Sequence, residues 1–145
     1  MLDIYQTLEI SEILNEINKY SKCESNKLRI ASLKMLSSFE AIKKDLTNVS
    51  EMMSLIIRHG ELPIDVSFSL EKFVSIANKD GLLTIDELSH IVHDIELSHS
   101  LMHYFGRVEN HLYPNIIALS NRLDSLLELE KSIKKVISPS LTIFD

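Results

Sequence analysis

Histidines concentrate in one stretch of the chain and raise the question of a metal site. Five of the six fall between positions 90 and 111, namely His90, His93, His99, His103 and His111. Imidazole nitrogens bind transition metals, and Asp94 adds a carboxylate oxygen directly after His93. A metal-dependent helical enzyme that uses His90, His93 and Asp94 is therefore one hypothesis for this chain.

Helical spacing argues against that site. At about 100° per residue, one face of the helix carries Ile91, Val92, Ile95, His99 and Met102. His90 and His93 lie on the flank opposite His99, near Asp94, and His99 and His103 could form an i, i+4 pair. His93-Asp94 resembles one element of a phosphohydrolase site, but no second His/Asp/Glu motif offers further ligands. The sequence favours surface histidines with one, His99, at a helix interface, and indicates no catalytic, cofactor-binding or metal residue.

A calcium loop is the second possible ion site, within the segment IANKDGLLTIDELSHIVHDI. With Gly81 at the sixth position of an EF-hand loop, Asp80 is fifth and Glu87 is twelfth. The first position is then Ile76, which has no oxygen donor, and Lys79 would place a cation beside the ion. No second loop is available to pair with this one, so calcium binding is not expected.

The same segment is better explained as the end of one helix and the start of another. Thr84 fits an N-cap, and Glu87 three residues later completes a capping box. Leu83 and Leu88 have the spacing of a hydrophobic staple across that cap. Gly81 is expected to end the preceding helix.

Composition excludes several classes of protein. The 145 residues carry a net charge of -6, which argues against binding of nucleic acid by this stretch alone. Isolated glycines exclude a P-loop and a dinucleotide fingerprint. The single Cys23 fits a reducing compartment and is read as incidental, since no nucleophile arrangement surrounds it. With no signal peptide and no apolar run of roughly 20 residues, we expect a cytoplasmic protein without membrane contact.

Helical periodicity predicts an all-α chain, an antiparallel bundle of about five to seven helices in a single domain over residues 1–145. Predicted helices cover residues 11–20, 24–36, 39–58, a segment opened by Ser67 or Ser69, 84–105, and a final interrupted stretch from Pro114 that ends at Pro139. Ser37 with Glu40 is the expected cap of the third helix, and Gly60 its left-handed end. That helix carries a seam of alternating four- and three-residue steps suited to antiparallel packing: Ile42, Leu46, Val49, Met53 and Ile56. Tyr104, Phe105 and Tyr113 are expected to pack around a helix end.

Several segments, in this order, resemble the N-terminus of the type-two bacterial MutS paralogues. They are a TLEI…IL segment from Thr7 to Leu14, a Gly-x-x-Pro connector from Gly60 to Pro63, and a helix start from Gly81 to Leu88. A closing Leu-x-x-x-Ile-x-x-x-Ile pattern follows at Leu129, Ile133 and Ile137. The chain departs from the family after Ile137, where Ser138-Pro139-Ser140 replaces an acidic turn that ends in glycine.

The resemblance implies a family of dimeric ATPases that bind branched DNA and restrain homologous recombination, some of them acting on stalled ribosomes. ATP and Mg²⁺, the clamp and the Smr nuclease would all belong to other parts of such a parent protein. This chain would be an excised N-terminal core segment, with its partners being the remaining domains of the parent. No catalytic residue can be carried over.

Three hypotheses follow from the residues and the resemblance together. The first is a non-catalytic helical scaffold whose working residues are the helix seams, namely Ile42, Leu46, Val49, Met53, Leu88, Ile91 and Ile95. The second is a stand-alone helical module for protein–protein interaction. The third is the metal-dependent enzyme with His90, His93 and Asp94. A slice of a larger core should expose apolar helix faces and self-associate.

Overall fold

The computed structural model describes residues 8–137, which contain seven α-helices, one short 3₁₀ helix and no strand. The helices are α1 (Ile10–Lys19), α2 (Glu24–Ala31), α3 (Phe39–His59), α4 (Glu71–Ala77), α5 (Ile85–Phe105), η1 (Asn110–Leu112), α6 (Pro114–Ser120) and α7 (Leu127–Val136). The predicted all-α class is confirmed. Thr7 and the predicted helix end at Pro139 lie outside the described residues. Across residues 8–137, no helix combines the length and the apolar character needed to cross a membrane.

The two long helices begin and end at local sequence signals. The backbone N–H of Glu87 donates to the Thr84 hydroxyl, and the Glu87 carboxylate accepts from the Thr84 N–H at 2.8 Å, so the predicted capping box is confirmed. At the start of α3 the cap is Ser38, whose hydroxyl accepts from Ala41 N–H, and the prediction of Ser37 was wrong. Gly60 ends α3 with a φ of 85°, a conformation that glycine adopts without strain.

The shorter helices depart further from the predicted boundaries. α2 ends at Ala31, well before the predicted end at Leu36. α4 begins only at Glu71, and neither Ser67 nor Ser69 caps it, because its N-cap position is Leu70 and carries no side-chain hydrogen bond. Short helices have few intrahelical bonds and depend on tertiary contacts, so local signals specify their ends poorly.

α4 ends in a Schellman motif, in which the glycine does not occupy the left-handed position. Asp80, not Gly81, has the positive φ, at 55°. Gly81 N–H donates to Ile76 C=O, and Asp80 N–H donates to Ala77 C=O, which is the hydrogen-bond pair of this motif. A Cβ on Gly81 would lie 2.9 Å from the Ile76 carbonyl oxygen. Glycine is required here by close backbone approach rather than by its own φ.

The main core lies where α3 meets α6. It consists of buried Leu55, Val108, Tyr113, Ile116 and Ile117, with Met52, Leu62, Tyr104 and Phe105 packed around them. Leu55 is 0% exposed and is the most completely buried side chain of the described residues. α6 also contacts α5 and η1, and α7 packs on α5, so α6 lies between the N-terminal and C-terminal parts of the fold.

A carboxylate from α3 caps the N-terminus of α6. Tyr113, at the N-cap position, provides no side-chain bond, and Pro114 occupies the first turn. The Glu51 carboxylate accepts instead from the backbone N–H groups of Asn115 at 2.9 Å and Ile116 at 3.1 Å, and from the Asn115 side-chain amide. Its charge also complements the positive end of the helix dipole. One residue thus satisfies the free N–H groups of α6 and fixes this helix to α3.

The predicted seam of α3 does not pack inside the described part of the fold. α3 contacts the core through a different stripe, which includes Met52, Leu55 and His59. The seam residues Ile42, Leu46, Val49, Met53 and Ile56, together with Phe39, are between 37% and 71% exposed. At 100° per residue the two stripes lie about 120° apart around the helix. Of the other predicted seam residues, Ile95 is buried, and Leu88 and Ile91 are half-buried.

The first testable prediction concerns the Glu51 cap. Glu51→Ala should lower the free energy of unfolding by about 1–3 kcal/mol, because the partly buried N–H groups of Asn115 and Ile116 lose their acceptor. Glu51→Gln should cost less, since the amide oxygen still accepts one bond. Chemical denaturation measures both. Asp45→Asn, at an exposed position of the same helix, is the matched control and should change stability by less than about 0.5 kcal/mol. Equal effects of Glu51→Ala and the control would contradict the capping role.

The second prediction separates the two residues at the end of α4. Gly81→Ala should destabilise the fold by about 1–3 kcal/mol, because the new methyl group collides with the Ile76 carbonyl. Asp80→Gly should stay within about 0.5 kcal/mol of the wild type, since relief of the left-handed conformation is offset by the flexibility of unfolded glycine. Thermal and denaturant unfolding of both variants provide the comparison. A benign Gly81→Ala would show that the close approach is absent.

Candidate functional site

Asp94 is the centre of a polar cluster that joins three segments of the chain. Its Oδ2 accepts from the Phe68 N–H at 3.3 Å and from the Ser67 hydroxyl at 3.4 Å. The Ser67 hydroxyl also lies 3.6 Å from the Cys23 sulfur, and Cys23 and Ser67 form an isolated parallel β-bridge. Asp94 therefore connects α5 to the 60–70 connector and to the start of α2. Cys23 was interpreted from the sequence as incidental, and no local pattern linked it to residues so distant in sequence.

The sequence analysis predicted that His90 and His93 are surface histidines. In the structure, both instead contact the connector. The His90 ring stacks on Phe68 with a centroid distance of 3.7 Å and an interplanar angle of 9°. His93 Nε2 lies 3.0 Å from the Val66 carbonyl oxygen, to which a protonated Nε2 donates. Both side chains are half-buried because the connector crosses this face of α5. They hold the connector in place with stacking and hydrogen bonding.

The three residues proposed as metal ligands contact three different partners. His90 faces an aromatic ring, His93 a carbonyl group and Asp94 the Ser67–Phe68 segment. Within residues 8–137, no group of three or more His, Cys, Asp or Glu side chains has an arrangement that could hold a metal ion. The geometry of this cluster is that of a tether between segments.

His99 lies at the interface between α5 and the α7 region, as predicted. Its Nε2 is 2.5 Å from the Ser125 carbonyl oxygen, and its Nδ1 is 3.7 Å from a Glu130 carboxylate oxygen. Lys134 joins the same helices through hydrogen bonds to Glu96 and Glu130, each at 2.6 Å. His103 contacts Arg107 instead and does not pair with His99.

The remaining candidates also serve the fold. The Glu87 carboxylate accepts from both the N–H and the hydroxyl of Thr84, so it is engaged in the helix cap. The Tyr104 hydroxyl donates to the Gly60 carbonyl at 2.8 Å, and its ring meets Phe105 edge-on. Tyr113 is buried in the core. The predicted packing of these aromatics around a helix end is confirmed.

Two groups of the Asp94 cluster have shifted pKa values. Burial raises the pKa of the Asp94 carboxyl, and the bonds from Phe68 and Ser67 lower it only in part. The second Asp94 oxygen, Oδ1, is buried without a hydrogen-bond partner. For Cys23, burial acts to raise the pKa, but hydrogen bonds from Ser25, Asn26 and Ser67 together outweigh it and lower the pKa of the thiol.

The seam of α3 is an exposed apolar surface. A shallow groove runs along its first half, lined by Phe39, Ile42, Leu46 and neighbouring polar residues. A second groove lies at the other end, lined by Ile56, Tyr20, Leu62 and Ile64 together with polar residues such as Lys22 and Glu61. The periodicity of the sequence revealed the seam itself. It did not reveal the second groove, because the segment of residues 20–26, α3 and the connector build that groove together.

The third prediction tests the Asp94 cluster through pH. The folded-state pKa of Asp94 is raised above its ordinary value of 3.8, so the native state binds the proton more tightly than the unfolded chain. The Asp94 contribution to stability is therefore largest below about pH 3.8 and is lost as pH rises through the folded-state pKa. Asp94→Asn should remove this dependence. Denaturation midpoints of both proteins, measured across the acidic pH range, test this dependence. Parallel pH profiles of the two proteins would contradict it.

Comparisons with known proteins identify relatives over nearly the whole chain. The Endonuclease MutS2 of Clostridium perfringens strain SM101 is 24% identical over 135 residues, which cover 92% of this chain. The proteins of the same name from Clostridium beijerinckii and Finegoldia magna are 23% and 26% identical and cover 90% and 84% of it. No protein-family model matches the chain, and no solved structure matches it.

The relatives are much longer than this chain. The aligned part is 17% of the Clostridium perfringens protein and 16% of the Finegoldia magna protein, so the chain spans about one-sixth of the curated relatives it matches. The similarity extends over the helices and connectors alike and agrees with the resemblance found in the sequence. The chain is a MutS2-related segment.

Proposed function

We propose that this chain is a non-catalytic helical scaffold segment of a MutS-like protein. The observation that carries the proposal is that the polar candidate residues bond within the fold, while an apolar helix face is exposed. The polar residues that suggested chemistry, such as Asp94, His99 and Glu87, are engaged in joining or capping helices. The apolar residues of the α3 seam remain exposed. An enzyme would instead direct polar groups toward a shared pocket.

The scaffold would couple the rest of a parent protein mechanically. Its helices are tied by contacts between distant segments, such as Glu51 to α6 and Lys134 to Glu96, so that movement of one helix is transmitted to others. By resemblance, ATP and Mg²⁺ would bind elsewhere in the parent, as would branched DNA or a ribosome. The parent would be a cytoplasmic homodimer that suppresses homologous recombination.

A helical module for protein–protein interaction is the second candidate function. The exposed seam of α3 favours it, since contiguous apolar surface marks interaction sites. Both candidates are non-catalytic, and they differ in whether the partner is the parent chain or another protein. Neither needs a metal at His90, His93 and Asp94.

The fourth prediction tests the absence of catalysis and of direct DNA binding. The purified chain should release no phosphate from ATP above the background without protein. It should bind a four-way DNA junction only weakly at physiological salt, with a Kd no tighter than about 10–100 µM, because its net charge is -6. Fluorescence anisotropy at two salt concentrations measures the binding.

Matched controls make this result decisive. The same junction with a known basic DNA-binding domain should show binding that weakens with salt. Metal analysis of protein purified without a histidine tag should find less than stoichiometric metal. Tight, salt-sensitive junction binding or ATP turnover by this chain would overturn the scaffold proposal, and stoichiometric metal would revive the enzyme hypothesis.

A further inference from the structure

The turn that leads into α7 has an unfavourable backbone conformation. Leu126, directly before the helix, has a φ of 45° and a ψ of 30°, which is the left-handed region. A residue with a side chain adopts this region only where surrounding contacts enforce it. Residues at the end of an element are also the positions where hinges absorb changes of backbone angle. Leu126 is therefore placed where a hinge is expected, and its strain favours opening.

Two side chains hold the backbone around Leu126. The Asp124 carboxylate accepts from the Leu126 N–H at 3.1 Å. On the other side, Nε2 of His99 lies 2.5 Å from the Ser125 carbonyl oxygen and donates to it when protonated. Asp124 belongs to the turn itself. Of these two bonds, only that of His99 joins the turn to another helix, α5.

The other contacts of α7 with the fold are limited. Among the residues of α7, which are all described, Ile133 is the one that is buried. Lys134 joins α5 through Glu96, but both side chains are about half exposed, and exposed ion pairs contribute little to stability. The remaining apolar side chains of the helix are 46–48% exposed, namely Leu127, Leu129 and Val136. A helix held in this way opens more readily than a core helix.

α7 also carries signals that keep it helical without its contacts to α5. Glu128 pairs with Lys131 at 2.9 Å, and Glu130 pairs with Lys134 at 2.6 Å, at the i, i+3 and i, i+4 spacings that stabilise isolated helices. Acidic residues occupy its first turn and lysines its last, which complements the helix dipole. These bonds lie within the helix and do not depend on α5, so α7 can move as one unit.

We propose that α7 is a hinged element, which turns about Leu126 and is held on α5 by His99. In the closed arrangement, which is that of the structure, the bond to Ser125 keeps Leu126 left-handed. When this bond breaks, Leu126 relaxes, and the relaxation offsets part of the contacts that α7 loses. His99 is thus a positioning residue that acts on α7 through the turn. In the scaffold role proposed above, on which only this consequence rests, α7 would be the helix that transmits movement.

The distance between two spin labels tests the hinge in a Cys23→Ser background. Ser100→Cys on α5 and Ser132→Cys on α7 provide the attachment sites, since both serines are exposed. Pulsed dipolar spectroscopy then separates closed from open molecules by their label distances. His99→Leu should raise the ratio of open to closed molecules at least about tenfold, because the Ser125 carbonyl loses its donor. His99→Gln should restore most of the closed form, since its amide donates from nearly the same position.

Two neighbouring leucines of similar exposure, Leu126 at 45% and Leu127 at 48%, test the strain. In the His99→Leu protein, Leu126→Gly should lower the open fraction about threefold, because glycine adopts the left-handed region without strain. Leu127→Gly lies inside the helix and should not lower it. His103→Leu, at an exposed position one turn from His99, is the control for the histidine and should leave the ratio as in the wild type.

The hinge is refuted by one unchanged label distance in the His99→Leu protein, by an equal effect of His103→Leu, or by a Leu126→Gly substitution that raises the open fraction. Asp124→Ala, at an exposed position, removes the second bond of the turn and should also raise the open fraction. It replaces His99→Leu if circular dichroism shows that this variant does not fold, and one unchanged distance then refutes the hinge in the same way. An immobile α7 would leave the scaffold role standing, whereas ATP turnover or junction binding would refute that role without changing the label distances.

Discussion

The packing of this fold depends on the contact between Glu51 and the first turn of α6. α6 has only seven residues, too few to form a stable helix in isolation. It nevertheless contacts α3, α5 and η1 and contributes Ile116 and Ile117 to the core. Glu51 supplies the acceptor that the start of α6 lacks, and it does so from the same helix that provides buried Leu55. The polar cap and the apolar core thus hold the same pair of helices at the same place.

Helix boundaries could be predicted where the signal was local. Thr84 and Glu87 are three residues apart, Gly60 follows the last turn of α3, and Pro114 opens α6, so each signal lies within the turn that it specifies. Contacts between distant segments were not predictable in this way. Glu51 and Asn115 are 64 positions apart, and a single sequence contains nothing that pairs a glutamate with one helix start rather than another.

The α3 helix shows that a correctly recognised apolar stripe need not be the stripe that packs in the core. The seam is the more regular apolar stripe, and its periodicity therefore predicts that it packs against another helix. The stripe that packs includes Met52, Leu55 and the polar His59. Periodicity reports that a face is apolar. It does not report which of two apolar faces is covered by the chain itself, because that depends on where α6 is fixed.

The roles of the polar and apolar side chains in this fold indicate what kind of function it can serve. Asp94, His90 and His93 hold the connector on α5. They could converge on a substrate only if these contacts to the connector were broken. The seam of α3 has no such internal task, and exposed apolar side chains gain free energy when they are buried against a partner. Burial of this apolar helix face against a partner would therefore be favourable. A protein built in this way is suited to association, and its polar clusters set the rigidity with which its helices present that face.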